Sequence, residues 1–295
     1  MKIKYLKHNK IDRQKWDNHV KKAKNCLIYG YSWYLDIVSP NWEALVSLDY
    51  KYIMPLTSAK KYFLSYLRQP TFFQKNSIFS ENEITKSIIK EFLKAIPKKY
   101  VIVEMSLNHN LSELESKYNA KKRTNYELYL NNTYENIYQN YSKSHKKNIK
   151  KVNKSDYKFI ISDDVETYID IKKQDIKFSE AKNKELHLET LKKLIVYVLE
   201  HNLGAVFFAV SAENKYLAAI FAIKLDKQII KVSARTPEGR KKGLSFFIHD
   251  KVIEYYANKD LTFDFVGSDI EGVAYFNKGF GSKKKDYYAI SKRLF

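Results

Sequence analysis

Hydrophobic and polar positions along this chain follow two periods, and their changeovers mark its elements. A helix is predicted around Arg13 to Lys24, followed by the apolar run Cys26-Leu27-Ile28-Tyr29 and an aromatic segment from Tyr31 to Val38. Trp42 to Leu48 and Tyr52 to Leu56 read as strands joined across Asp49-Tyr50-Lys51, with Tyr62 to Leu67 as a further strand. Ser80 and Glu83 form a capping-box signature. Behind them Ile84, Ile88, Phe92 and Ile96 recur every fourth residue, which makes one apolar helix face. Pro97 stops that helix, and Tyr100 to Met105 reads as a strand.

The second half repeats the order. Ala205 to Ala212 and Tyr216 to Leu225 are predicted strands with a turn at Glu213-Asn214, and Gln228 to Ala234 pairs next after Asp226-Lys227. A helix over Leu244 to Asn258 and a strand over Leu261 to Val266 follow. Tyr50 to Ser106 and Lys215 to Gly267 thus share one plan of strands, loop, helix and strand, which reads as a structural duplication. The predicted fold class is α/β (α+β), with two tandem lobes over residues 1–131 and 132–295. Each lobe is expected to be a mixed, mostly antiparallel sheet with flanking helices.

Between the halves, Thr133 to Lys154 has the most regular helical pattern in the chain. Tyr134, Ile137, Tyr138, Tyr141, Ile149 and Val152 fall on one side. Lys143, Lys146, Lys147, Lys150, Lys151 and Lys154 fall on the other, as a solvated face or a polyanion-binding stripe.

Composition limits the chemistry. At 295 residues the chain suits two domains of roughly 150 residues each. A hydrophobic share of 44% supplies packed cores, so disorder is not the expectation. The single cysteine, Cys26, excludes an intramolecular disulfide and fits a reducing compartment; it reads as a small buried hydrophobe rather than a nucleophile. Met1 to Tyr5 lacks a signal-peptide core and no apolar run approaches the ~20 residues of a bilayer span, so a soluble cytoplasmic protein without membrane insertion is expected. The net charge of +20 permits an anionic partner, but six of the 53 basic residues are arginine and the other 47 lysine. Lysine, asparagine, isoleucine and tyrosine abundant together also reflect AT-rich coding, which shares the credit for the charge. The seven histidines show no paired metal-ligand spacing, so no metal is expected. No nucleophile elbow, Walker loop or dinucleotide fingerprint is present.

Two stretches carry candidate chemistry. Arg235-Thr236-Pro237-Glu238-Gly239-Arg240-Lys241-Lys242-Gly243 links a predicted strand to the helix opening at Leu244-Ser245. Free N–H groups and the helix dipole favour an anion there, glycines permit close approach, and the four cations add charge. It reads as a cradle for a pyrophosphate or an RNA 3′ end, or as a plain surface turn. The equivalent first-lobe stretch, Gln69 to Asn76, has no glycine and one basic residue. The second stretch runs from Asp264 through Gly267-Ser268-Asp269 to Gly279-Phe280-Gly281, where a strand ends, turns and enters a short helix.

At these residues the chain resembles the FemAB-like branch of the GNAT superfamily. The resemblance rests on the Arg/Gly-rich loop, Asp264-Phe265-x-Gly267-Ser268, Phe276-x-Lys278-x-Phe280-Gly281, and Ser144-x-x-Lys147-x-Ile149-Lys150-Lys151. It covers mainly residues 130–295. The first lobe matches in its order of elements and in Tyr31 to Trp42, and Tyr29-x-Tyr31-Ser32-Trp33-Tyr34-Leu35-Asp36 is similar to bacterial members other than the peptidoglycan-bridge enzymes. The resemblance implies a tandem GNAT fold with no tightly bound cofactor. It also implies an acyl donor, acyl-CoA or aminoacyl-tRNA, and an amine acceptor, which in Fem-type enzymes is a cell-wall precursor. The chain lacks the coiled-coil insertion of some Fem-type enzymes. Phe276 stands where many GNAT enzymes place a proton-donating tyrosine, with Tyr275 adjacent.

Transfer to an amine needs a neutral amine, a path for its proton and donors near the oxyanion. Asp264, Asp269 and Glu271 are the candidate carboxylates, Asp269 first because it follows the turn at a strand's end; helix capping is its bland alternative. Tyr275 is the remaining catalytic candidate. Arg235, Gly239, Arg240, Lys241, Lys242, Gly243, Leu244, Ser245 and Lys278 form the candidate donor site. The competing expectation is an inactive protein of the same fold that binds RNA or another polyanion through the lysine stripe.

Overall fold

The computed structural model describes residues 1–112, 118–175 and 183–293. It forms two compact units, residues 1–123 with 286 onward, and residues 124–285. The first unit therefore stops short of residue 131 and also takes most of the C-terminal strand.

In the first unit β1 (Ile3–Leu6) is followed by α1 (Arg13–Lys22), α2 (Ser32–Val38), β2 (Glu43–Ser47) and β3 (Ile53–Leu56). The three strands form one antiparallel sheet. Next come β4 (Ser58–Lys61), β5 (Leu64–Leu67), α3 (Lys86–Lys94) and β6 (Tyr100–Leu107). β5 runs parallel to β6, and the chain's last strand (Lys283–Arg293) lies antiparallel on the other edge of β6 with Tyr288 opposite Leu107. Two expectations change here. Tyr62 and Phe63 are the tip of the β4–β5 hairpin, not strand residues, because Tyr62 takes a left-handed φ of 55°. Ser80 does not cap α3: its hydroxyl donates to the Lys51 carbonyl, while Thr85 caps the helix by accepting from the Ile88 N–H. The bridge of Phe79 to Ile53 holds Ser80 beside the sheet. The core face of α3 is accordingly Ile89, Phe92 and Leu93, with Ile84, Ile88 and Ile96 on its flank.

The second unit begins with β7 (Lys121–Tyr129), α4 (Tyr134–Gln139), α5 (Lys143–Val152), β8 (Lys158–Ser162), α6 (Val165–Gln174) and α7 (Lys184–Glu200). It continues with β9 (Gly204–Val210), β10 (Tyr216–Leu225), β11 (Gln228–Arg235), α8 (Pro237–Lys241), α9 (Leu244–Tyr256), β12 (Thr262–Asp264) and α10 (Glu271–Lys278). Its strands lie in the order β7-β12-β11-β10-β9-β8. β10 is apolar nearly throughout because both its faces are covered. Ala218, Ile220 and Ala222 join Phe247, Ile248 and Val252 of α9 in one core, while Phe221 faces Tyr168 of α6.

The expected helix over Thr133–Lys154 is two helices. Ser142, extended at φ −61° and ψ 151°, accepts the His145 N–H and donates its own N–H to the Gly279 carbonyl, so the ladder restarts there. The expected strand Leu261–Val266 shortens to β12, since Val266 takes φ 54°. Among the described residues no helix is long and apolar enough to cross a membrane.

Candidate active site

β11 and β12 run parallel for three residue pairs, Gln228 with Thr262, Ile229 with Phe263 and Ile230 with Asp264. β12 then ends, while β11 continues along β10 to Arg235. Beyond Ile230 no further pair joins β11 to β12, so the two strands part there as a wedge. Alternate residues of a strand share a face. Ile229 on this face belongs to the core under α9, but Lys231, Ser233 and Arg235 continue it as polar groups.

Those three meet one side of α9. Arg235 Nη1 donates to Ser245 Oγ at 2.8 Å, and Ser233 Oγ lies 3.3 Å from His249 Nε2. Nδ1 of His249 is 2.7 Å from the Ser245 carbonyl, which only accepts, so Nδ1 carries the proton and Nε2 offers its lone pair. Ser233 then donates to His249 and accepts from Lys231 Nζ at 3.1 Å. Burial among Phe265, Phe276 and Phe280 pushes the His249 imidazolium well down, and the nearby Lys231 adds to this.

From α6, Tyr168 Oη donates to the Val232 carbonyl and Lys172 Nζ to the Ser233 carbonyl, each at 2.8 Å. Burial lowers the pKa of Lys172, with Asp175 opposing and Arg235 adding to the shift. Lys231 keeps part of its surface exposed, yet desolvation pushes it down to about 7; Lys172 and Arg235 repel its charge, and Asp264 favours it. Burial also lowers Arg235.

Asp264 is wholly buried at the end of β12, where Oδ1 accepts from Asn125 Nδ2 at 2.8 Å and from the Val266 N–H at 3.0 Å. Asp269 is exposed in the turn after Gly267, whose φ is 66°. Asn277 of α10, itself fully buried, donates to Ser268 Oγ at 2.8 Å and ties that turn to the helix. Tyr275 stands at the surface, 67% exposed, and Glu271 and Lys278 are exposed too. Phe276 packs against His145, Phe246 and Phe280. The fold therefore brings Asp264 to Lys231, and leaves Asp269, Glu271, Tyr275 and Lys278 on the outside of the turn and α10.

The basic loop contains a short capped helix, α8. Thr236 caps α8 by accepting the Gly239 N–H at 3.0 Å, so that amide is already used. Arg240, Lys241 and Lys242 are exposed, and Lys242 pairs with Glu238 at 2.7 Å. Gly243, at φ 74°, is the N-cap of α9 and leads into buried Leu244 and half-buried Ser245. A Cβ on Gly243 would stand 3.7 Å from Val152, the last residue of α5. The loop thus adjoins the lysine helix. Lys143, Lys147, Lys150, Lys151 and Lys154 are exposed, and Lys146 bonds to the Gln139 carbonyl at 2.8 Å. Among the described residues none of these six lies within ion-pair distance of a carboxylate. His145 anchors the start of α5, with Nε2 2.8 Å from the Phe276 carbonyl.

Lys231, Ser233, His249 and Lys172 escaped the sequence reading. The alternation Lys231-x-Ser233-x-Arg235 on a strand otherwise apolar, facing Ser245 and His249 one helical turn apart, was the available signal.

No family model matches the sequence, and none of the curated proteins compared with it does. Solved structures do match in fold. FemX superposes with a TM-score of 0.67 at 11% identity, over 98% of this chain and 97% of that one. L-PGS from Bacillus licheniformis gives 0.54 at 12% identity, over 96% of this chain and 91% of that one. A tandem GNAT protein from the clavulanic acid biosynthesis pathway gives 0.53 at 8% identity, over 98% of both chains. At these identities the likeness shows the fold alone, which is one of two GNAT-like lobes.

Proposed function

We propose that the chain is an N-acyltransferase that moves an acyl or aminoacyl group from an anionic donor to an amine acceptor, and that the donor is an aminoacyl-tRNA. The observation that carries this reading is the junction of Gly243 with Val152, which joins the loop cations beside the wedge to the lysine face of α5. That helix has ten residues, so its face extends ~15 Å, longer than a pyrophosphate requires and suited to a run of backbone phosphates.

In this reading Arg240, Lys241 and Lys242 hold the donor's terminal phosphates near Leu244 and Ser245, and α5 follows its backbone. Arg235 braces the mouth of the wedge through Ser245. Asp269 and Tyr275 serve the acceptor, Asp269 by attracting its ammonium group; Lys278 adds charge beside them. Asp264 acts from inside, on the field around Lys231.

Calorimetry with charged tRNA and acetyl-CoA in parallel tests the donor. Saturable tRNA binding weakened in Arg240→Ala/Lys241→Ala, together with transfer to an amine, is the expected result. CoA binding alone would make this an acyl-CoA transferase. tRNA binding with no turnover on any amine would leave a polyanion-binding protein.

A further inference from the structure

We propose that Lys231 takes the proton from the acceptor's ammonium group, with Ser233 and His249 as positioning residues that hold its Nζ at the mouth of the wedge. This rests on the transfer reading above. It assigns the proton path to a side chain that none of the three carboxylate candidates replaces, because Asp264 Oδ1 is committed to Asn125 and Val266, and Asp269 and Glu271 lie outside.

The geometry singles out this lysine. It is the first residue of β11 past the last pair with β12, so it stands where the strands part. Ser233 accepts from it at 3.1 Å, and the hydroxyl proton of Ser233 is turned to His249, whose other nitrogen is locked on Ser245. Ser233 therefore presents an oxygen lone pair to Lys231 whichever protonation state the lysine has. Every packed element contributes to its surroundings. Lys172 and Asp175 come from α6 and its C-cap, Arg235 from β11 itself, Asp264 from β12 and His249 from α9. Desolvation, with repulsion from Lys172 and Arg235 added and Asp264 opposing, brings the amine to about 7, so near neutral pH it is available as a base.

Atoms and charge balance in this step. One N–H proton passes from the acceptor's ammonium to Lys231 Nζ. The freed amine attacks the acyl carbonyl, a C–N bond forms, and the bond from that carbon to the donor's sulfur or oxygen breaks with its electron pair. The second nitrogen proton leaves on the donor's sulfur or oxygen, and Lys231 returns its proton to water.

Two measurements test it. Reductive ¹³C-methylation and NMR titration, assigned with Lys231→Met, should show one lysine titrating near neutrality. A Lys231 signal that titrates with the bulk lysines would overturn the proposal whatever the donor proves to be. Transfer from charged tRNA or acetyl-CoA is then compared between an alkylamine and hydroxylamine, which is already uncharged at neutral pH. Lys231→Met and Lys231→Arg should each lose roughly a hundredfold or more with the alkylamine and little with hydroxylamine, since arginine keeps the charge but accepts no proton. Equal losses with both acceptors would make the lysine structural. If wild type transfers to neither acceptor, the transfer reading fails and the titration still decides whether Lys231 is a neutral amine.

Discussion

Gly239 lies so close to β10 that a Cβ on it would fall 2.1 Å from the Leu217 carbonyl oxygen. The clash would be with backbone, which has no rotamer to escape by. Gly239→Ala should therefore cost about 2–3 kcal/mol and displace the loop that carries Arg240 and Lys241. Urea unfolding with an unchanged m-value checks the stability, and tRNA binding checks the displacement.

Binding of tRNA along the lysine helix should weaken with salt. Every lysine–phosphate pair contributes about 0.7–0.9 to the slope of log affinity against log salt. Lys147→Gln/Lys150→Gln/Lys151→Gln should lower that slope by about 2–3. Thermal stability should stay unchanged, because these side chains are exposed and have no acidic partner among the described residues. An unaltered slope would make the stripe a solvated face.

The two aspartates should separate cleanly. Asp269 is exposed, so Asp269→Asn should leave the melting temperature alone and reduce amine transfer by about tenfold or more, because the acceptor's ammonium no longer meets a negative charge. Asp264→Ala strands the buried Asn125 Nδ2 and the half-buried Val266 N–H, and should cost about 3 kcal/mol. Wild-type rates in Asp269→Asn would remove that residue from the reaction.

Asp250 of α9 sets a pH dependence. It is buried and accepts from Tyr134 Oη at 2.9 and 3.0 Å, and burial pushes its carboxyl up to about 6. Between about pH 4 and 6 the unfolded chain has released this proton while the folded chain still holds it, so stability falls as pH rises through that window. Above it the loss is complete, at about 3 kcal/mol. Asp250→Asn should flatten a thermal-melt series over this range.

Periodicity alone located β10, β11 and the start of α9, because a strand buried on both faces and an apolar helix announce themselves in local order. Chain order also made legible the basic loop and the turn at Gly267-Ser268-Asp269, since glycine and charge mark such places. Helix starts were less legible where a side chain had two possible partners: Ser80 bonds to Lys51 rather than capping, and Ser142 divides one periodic stretch into two helices. The wedge was beyond local reading. It exists because β12 stops at Asp264 while β11 runs on, a consequence of strand register between segments about thirty residues apart. Burial and convergence of charge then turn an ordinary lysine in β11 into an amine near neutrality, and only the tertiary structure brings Lys172, Asp264 and His249 to it.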